Sequence, residues 1–283
     1  GMTVESVLIP TDNRITACIS SQVGARLLAA AGKADSLEQV LVGSRLIATA
    51  WAGGADAMQP ATDANSPRNF VSMAGAADAY LVVEEVGTGL GLRLVAASDV
   101  EVKLHSLQDG GMASVVYASS DVGEIVSEDV SEAFARAFDE AALSMAGYLL
   151  GAAERAFEIT VEYLKVRTQF DKPLAAFQAL QHRVVDMKIQ LTLCRASVAG
   201  AAESIDLAHD PLLRSKLVSR AKARAADTAM LVAREAIQLH GAIGYTDEYD
   251  VGLFARKIMV CANQYGSAGA HRRRFASLSQ GEI

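Results

Sequence analysis

The chain has 283 residues, 51% of them hydrophobic and 21% charged, with a formal net charge of −7. That length and apolar share can fill a sizeable core, as one large domain or two smaller ones, and exclude a disordered chain. The negative field repels polyanions, and the one basic run, "HRRR" at His271 to Arg274, is too short to reverse it, so no nucleic-acid partner is expected.

Cys18, Cys194 and Cys261 stand far apart with no C-x-x-C spacing, which fits buried thiols in a reducing cytoplasm. The opening Gly-Met reads as a remnant ahead of a native Met2, and no signal-like segment follows. The longest apolar runs fall short of the roughly 20 residues that a membrane helix needs, so no membrane partner is expected.

From Ser6 to about Ala52 the pattern is short and broken, with helix-like pieces "ISSQVGARLLAAAG" and "SLEQVLVGSRLIATAW". Residues 1–52 therefore read as a reduced N-terminal helical segment. Gly53 to Asn69 is rich in Gly, Pro, Asn and Asp and reads as a loop region. From Phe70 the period shifts toward two. The runs "DAYLVVEEV", "LRLVAASDV", "EVKLHSL" and "ASVVYASS" predict a small, mainly antiparallel β-domain over 53–127.

Beyond about Glu128 helical periodicity takes over. Leu143, Leu150, Ala153, Phe157, Val161 and Leu164 form one stripe. A second seam runs through Phe177, Leu180, Val184, Met187, Leu191, Cys194, Val198, Ala201 and Ile205 in alternating steps of three and four. Asp210 and Pro211 form an N-cap and first-turn pair that opens a third helix, stopped by Gly241. A fourth begins near Asp247 and breaks at "YGSAGA". The fold class is α+β, mainly α: a small antiparallel domain followed by an up-and-down four-helix bundle over 128–283.

Several motifs have plain readings. The glycine-rich "EVGTGLGL" precedes a strand, where a phosphate loop would precede a helix, and predicts a hairpin turn. His182 and Asp186 share a helix face without a second ligand pair, so no metal site is expected. "GSAG" follows a helix and is not a hydrolase elbow.

Three corners of the bundle carry more than packing requires. In "VRTQFDKPLAAFQALQHRVVDM" an arginine, Arg167, closes the first bundle helix, Phe170 and Pro173 shape a turn, and Phe177 and Gln178 open the next helix. A held guanidinium offers a rigid fork to a phosphate, and a neighbouring aromatic can cover a ring. "QLHGAIGYTDEY" sets Gln238 and His240 before two glycines that permit close backbone approach, and "QYGSAGAHR" forms a third corner rich in small residues.

These stretches resemble the acyl-CoA dehydrogenase family. The family's arginine followed by Gln-Phe-Gly, Pro, Phe-Gln and Ala-Asp-Met is similar to "VRTQFDKPLAAFQALQHRVVDM", and its "QLHGGIGYT-E" pattern is similar to "QLHGAIGYTDEY". The resemblance runs over Phe70 to Ala276. It implies an oligomeric flavoprotein that uses FAD to oxidise the Cα–Cβ bond of an acyl-CoA thioester. It also implies that Arg167 and Phe170 meet the FAD of a neighbouring subunit, that Gln238, Gly241 and Gly244 approach its adenine half, and that Gly266 and Ser267 match the family's Gly-Thr.

The resemblance fails where the chemistry is usually carried. Desaturation needs a carboxylate to take the α-proton. The family's usual glutamate precedes the Gly-Thr, and Tyr265 stands there; a phenol with a pKa of about 10 is a poor base at neutral pH. A second family position, on the first bundle helix, falls on Ala141 with Ala142 beside it. Glu140 is one step away, and one step turns a side chain by about 100°. The family's N-terminal helical domain and its flavin-wrapping Thr-Glu-Pro-x-Ala-Gly-Ser are replaced by "TAWAGGADAMQPATDANSPRN".

Two expectations follow. Either the chain is an accessory subunit that pairs with a complete acyl-CoA dehydrogenase and donates FAD contacts across the interface, which the missing base favours, or it is self-sufficient with Glu140 as the base. A non-enzymatic helical assembly protein is the third reading, and it leaves the corner motifs unexplained.

Overall fold

The computed structural model describes residues 14–53, 58–62, 65–107, 109, 112–207, 210–246 and 249–280. They fall into two compact units. One gathers residues up to Ala142 together with Gln264–Gly266; the other holds Leu143–Asn263 and the residues from Ser267 onward.

The first unit opens with α1 (Arg14–Ala30) and α2 (Ala34–Leu41), followed by β1 (Ile47–Ala50), β2 (Arg68–Asn69), β3 (Ala79–Val86), β4 (Gly89–Ala96), β5 (Val100–Ser106), β6 (Met112–Ala118) and β7 (Glu124–Ser127). Two sheets result, ordered β1-β3-β4-β7 and β2-β6-β5. Their shared core is drawn from Ala48, Ala50, Tyr80, Val82 and Val95 of the first sheet and Val116 and Ala118 of the second. All strand pairs are antiparallel except β1–β3.

β1 corrects the reading of "LIATAW" as helical. All four of its residues are buried, so the run is covered on both faces and carries neither a two-fold nor a 3.6-fold hydrophobic beat. α1 packs on β1 at Gly24, where an added Cβ would lie 2.8 Å from Thr49 Oγ1. "EVGTGLGL" is the β3–β4 hairpin: Val86 pairs with Gly89, and Gly87 takes the positive φ, +60°, that such a turn requires. Glu84 on β3 is buried and accepts two hydrogen bonds from Arg93 on β4, at 2.8 and 2.9 Å.

α3 (Ser131–Val166) begins in the first unit and ends in the second. The second unit continues with α4 (Gln178–Leu207), α5 (Pro211–His240), α6 (Val251–Cys261) and α7 (Ala268–Ser279). The Asp210 carboxylate accepts from Leu212 N at 2.8 Å with Pro211 in the first turn, as the sequence predicts for the start of α5. Asp247 lies outside the described residues, and the fourth bundle helix is split into α6 and α7.

α5 is the central helix, packed against α4, α6 and α7. Ala221, Ala225, Ala229 and Ala233, one turn apart and buried, let neighbouring helices approach closely. Lys222 is fully buried among them, and its ammonium donates to the Ala262 carbonyl at 3.0 Å. Burial pushes its pKa down from 10.5 to about 7.

Candidate functional site

The Arg167 corner is a two-residue hairpin. The Arg167 N–H still donates to the Tyr163 carbonyl at 2.8 Å, completing the last turn of α3, and the Arg167 carbonyl then accepts from Leu174 N at 2.8 Å. Between them Thr168–Gln169 (β8) pairs with Lys172–Pro173 (β9). Phe170 and Asp171 bridge the strands with φ of +52° and +60°, the mirror-image turn that hairpin twist favours and that glycine fits best.

This turn displays its side chains. Phe170 is 85% exposed, with its ring edge-on to Phe177 at 6.2 Å, and the Lys172 ammonium sits 4.2 Å above the Phe177 ring. Arg167 is exposed, and among the described residues no carboxylate pairs with it. An exposed guanidinium at the base of a hairpin that projects a ring suits an anionic group joined to an aromatic one.

The second corner terminates α5. Gly241 takes φ +65° and its N–H reaches back to the Ile237 and Gln238 carbonyls, a left-handed stop that glycine permits. Gly244 is buried, and a Cβ there would come within 3.0 Å of the Ile237 carbonyl oxygen, so the backbone folds closely on itself. Gln238 is exposed at the rim. His240 is 4% exposed; it stacks on Tyr163 of α3 with ring centroids 4.4 Å apart. Tyr163 also donates to the His240 carbonyl at 3.4 Å. The Arg167 and Gln238 corners are thereby joined within the second unit.

The third corner is built differently. Tyr265 and Gly266 have φ of +54° and +99°, and the Ser267 hydroxyl caps α7 by accepting from Ala270 N at 3.2 Å. Tyr265 is 6% exposed and stacks on Trp51, with centroids 5.8 Å apart and planes 22° from parallel. Phe134 meets the indole edge-on at 6.1 Å, and Phe138 follows at 6.3 Å from Phe134. Trp51 is held by its own backbone, which receives Ala61 N at 2.9 Å as the chain doubles back. Its indole N–H is buried without an acceptor among the described residues.

Glu140 lies in the first unit and is 5% exposed. Arg26 of α1 donates to both of its oxygens, at 2.8 and 2.9 Å, and Arg136, one turn earlier on α3, adds a contact at 3.1 Å. Ala141 and Ala142 are buried and apolar. Sequence reasoning did not find Trp51 or Arg26. The only signal for Trp51 is that the chain's single tryptophan sits in a run of small residues.

The family description "Acyl-CoA dehydrogenase, C-terminal domain" matches residues 132–277, about half of the chain, and takes in all three corners. The chain belongs to the acyl-CoA dehydrogenase family. It is 39% identical over 139 residues to the acyl-CoA dehydrogenase IpdE2 of Mycobacterium tuberculosis, covering 49% of this chain and 41% of that protein. Mitochondrial isobutyryl-CoA dehydrogenase of Bos taurus is 30% identical over 207 residues, covering 68% of this chain and 49% of that protein. The chain thus spans about half the length of these relatives. Among solved structures, the ChsE4–ChsE5 complex of Mycobacterium tuberculosis aligns with a TM-score of 0.74 at 25% identity, over 87% of this chain and 69% of that one.

Proposed function

We propose that this chain is a non-catalytic subunit of an FAD-dependent acyl-CoA dehydrogenase, and that it lends its Arg167 and Gln238 corners to a flavin held mainly by a partner chain. The observation that carries this reading is Tyr265. Where the family's usual carboxylate stands, this chain has a phenol stacked on a tryptophan and buried. A proton cannot be taken from an acyl-CoA by a group that is neither basic enough nor open to substrate.

Glu140 supports the same reading. Its two oxygens are both engaged by guanidinium groups, which favours a structural carboxylate over one that receives a proton from substrate. In this subunit Arg167 would clamp pyrophosphate, Phe170 would cover a face of the nucleotide, and Gln238 and Gly241, with open space where a Cβ would stand at the glycine, would line the adenine half, with Gly244 holding the turn behind them. Gly266 and Ser267 keep the family's place at the third corner, with Ser267 committed to capping α7. Bound FAD would supply the hydride acceptor. The base would come from a chain with an intact glutamate, and the ChsE4–ChsE5 likeness is consistent with an assembly of two different chains.

The test is to co-express the chain with a full-length acyl-CoA dehydrogenase that keeps the glutamate. Flavin retention and acyl-CoA bleaching are then compared for wild type, Arg167→Ala and Glu140→Gln. Loss of flavin in the first variant and unchanged turnover in the second support the proposal; loss of turnover in the second returns the role of base to Glu140.

A further inference from the structure

Three rings from three segments meet beside the two cofactor corners. Tyr163, near the end of α3, stacks on His240 at 4.4 Å with planes 23° apart. Tyr249, just before α6, packs on the imidazole at 5.0 Å and edge-on to Tyr163 at 5.8 Å. Arg167 lies one turn beyond Tyr163, and Gly241 directly follows His240. Displacing this stack therefore shifts the end of α3 and the end of α5 together.

The chemistry of His240 makes the stack directional. Its Nδ1 lies 2.8 Å from the Ala236 carbonyl, so this nitrogen carries the proton and the ring plane is fixed against its own helix. Nε2 is buried with no donor among the described residues. Burial pushes the His240 pKa below the ordinary 6.5, and the backbone hydrogen bond only partly opposes that. The groups set against the ring are the Tyr163 and Tyr249 phenols. A neutral ring stacks here; an imidazolium would be desolvated among them.

We infer that His240 is a positioning residue whose stack on Tyr163 ties the Arg167 hairpin to the Gln238–Gly244 corner, so that both are presented to a ligand as one rigid body. The functional consequence rests on reading these corners as cofactor contacts; the tie itself does not.

Hydrogen exchange of the flavin-free chain tests the tie directly. His240→Ala should speed exchange at both 167–174 and 238–246 by roughly three- to tenfold, the size expected for loss of one aromatic pair. His240→Phe, which keeps a stacking ring while removing the buried Nε2 lone pair and the Nδ1 bond to the Ala236 carbonyl, should restore most of the wild-type protection at both, since the stack carries the tie. Tyr163→Leu should reproduce the paired loosening, and it decides the matter if His240→Ala does not fold. In the wild type, after correction for intrinsic rates, both segments should loosen together as the pH falls below 6.5, a dependence that His240→Phe abolishes. Loosening confined to 238–246, or no rescue by phenylalanine, would overturn the inference. Failure of the assembled wild type to retain FAD would overturn the proposed function and leave this result standing.

Discussion

Tyr265 stacks on Trp51, 5.8 Å from centroid to centroid, at the corner where the proposed function puts the missing carboxylate. Both rings are nearly inaccessible, and Phe134 closes the indole edge. The corner is thus filled with aromatic packing, and its energetics are those of a core. Trp51→Ala should destabilise the first unit by about 3–5 kcal/mol through cavity formation. Trp51→Phe should cost much less, because it keeps an aromatic ring and removes an indole N–H that has no acceptor among the described residues. Urea unfolding of the two variants, followed by fluorescence of the tyrosines, checks the order.

Glu140 should prove structural. Glu140→Gln leaves Arg26 and Arg136 without their shared anion. Both arginines are about half exposed, so solvent screens part of the loss, and the cost should be about 1–2 kcal/mol. Thermal unfolding measures that cost. Turnover of the assembled enzyme should stay within about twofold of wild type.

Asp171 places a carboxylate and a Cβ where the left-handed turn, at φ +60°, favours glycine. Asp171→Gly should relieve strain of about 1 kcal/mol and remove a negative charge from the hairpin that carries Arg167. The expected outcome is a higher melting temperature and tighter flavin retention in the assembly. Asp171→Asn separates the two effects, since asparagine tolerates this conformation and removes only the charge.

Lys222 predicts a pH dependence. Its pKa is about 7 in the folded chain and 10.5 when exposed, so between these values the unfolded state binds more protons than the native one. Stability attributable to this group therefore rises as the pH climbs from about 7 to 10.5, and the burden of the buried charge is full below 7. Lys222→Met should flatten that rise and raise stability at neutral pH. Calorimetric melting from pH 6 to pH 9 checks both the slope and its loss.

The bundle was legible because its signals are local. The seam from Phe177 to Ile205 marks α4, with Met187, Leu191, Cys194 and Ala201 fully inside, and Asp210 with Pro211 fixes the start of α5 to the residue. The corners announce themselves through an arginine, aromatics and glycines close together in the chain. What stayed hidden depends on long-range contact. Arg26 meets Glu140 across 114 residues, and no pattern within either helix points to the other. Trp51 and Tyr265 are likewise brought together by the fold alone. β1 was misread because four consecutive buried residues erase the alternation that marks a half-exposed strand. His240 was visible as a corner residue, but its stack on Tyr163 was not, since α3 and α5 are separated by the whole of α4.

The most direct measurement is the visible absorbance spectrum of the purified chain after incubation with FAD and desalting, alone and mixed with a glutamate-bearing partner chain, each then challenged with acyl-CoA. A non-catalytic subunit role entails little retained flavin and no bleaching for the chain alone, with retention and bleaching in the mixture, both reduced by Arg167→Ala in this chain. A near-stoichiometric flavin band that acyl-CoA bleaches in the chain alone would contradict it.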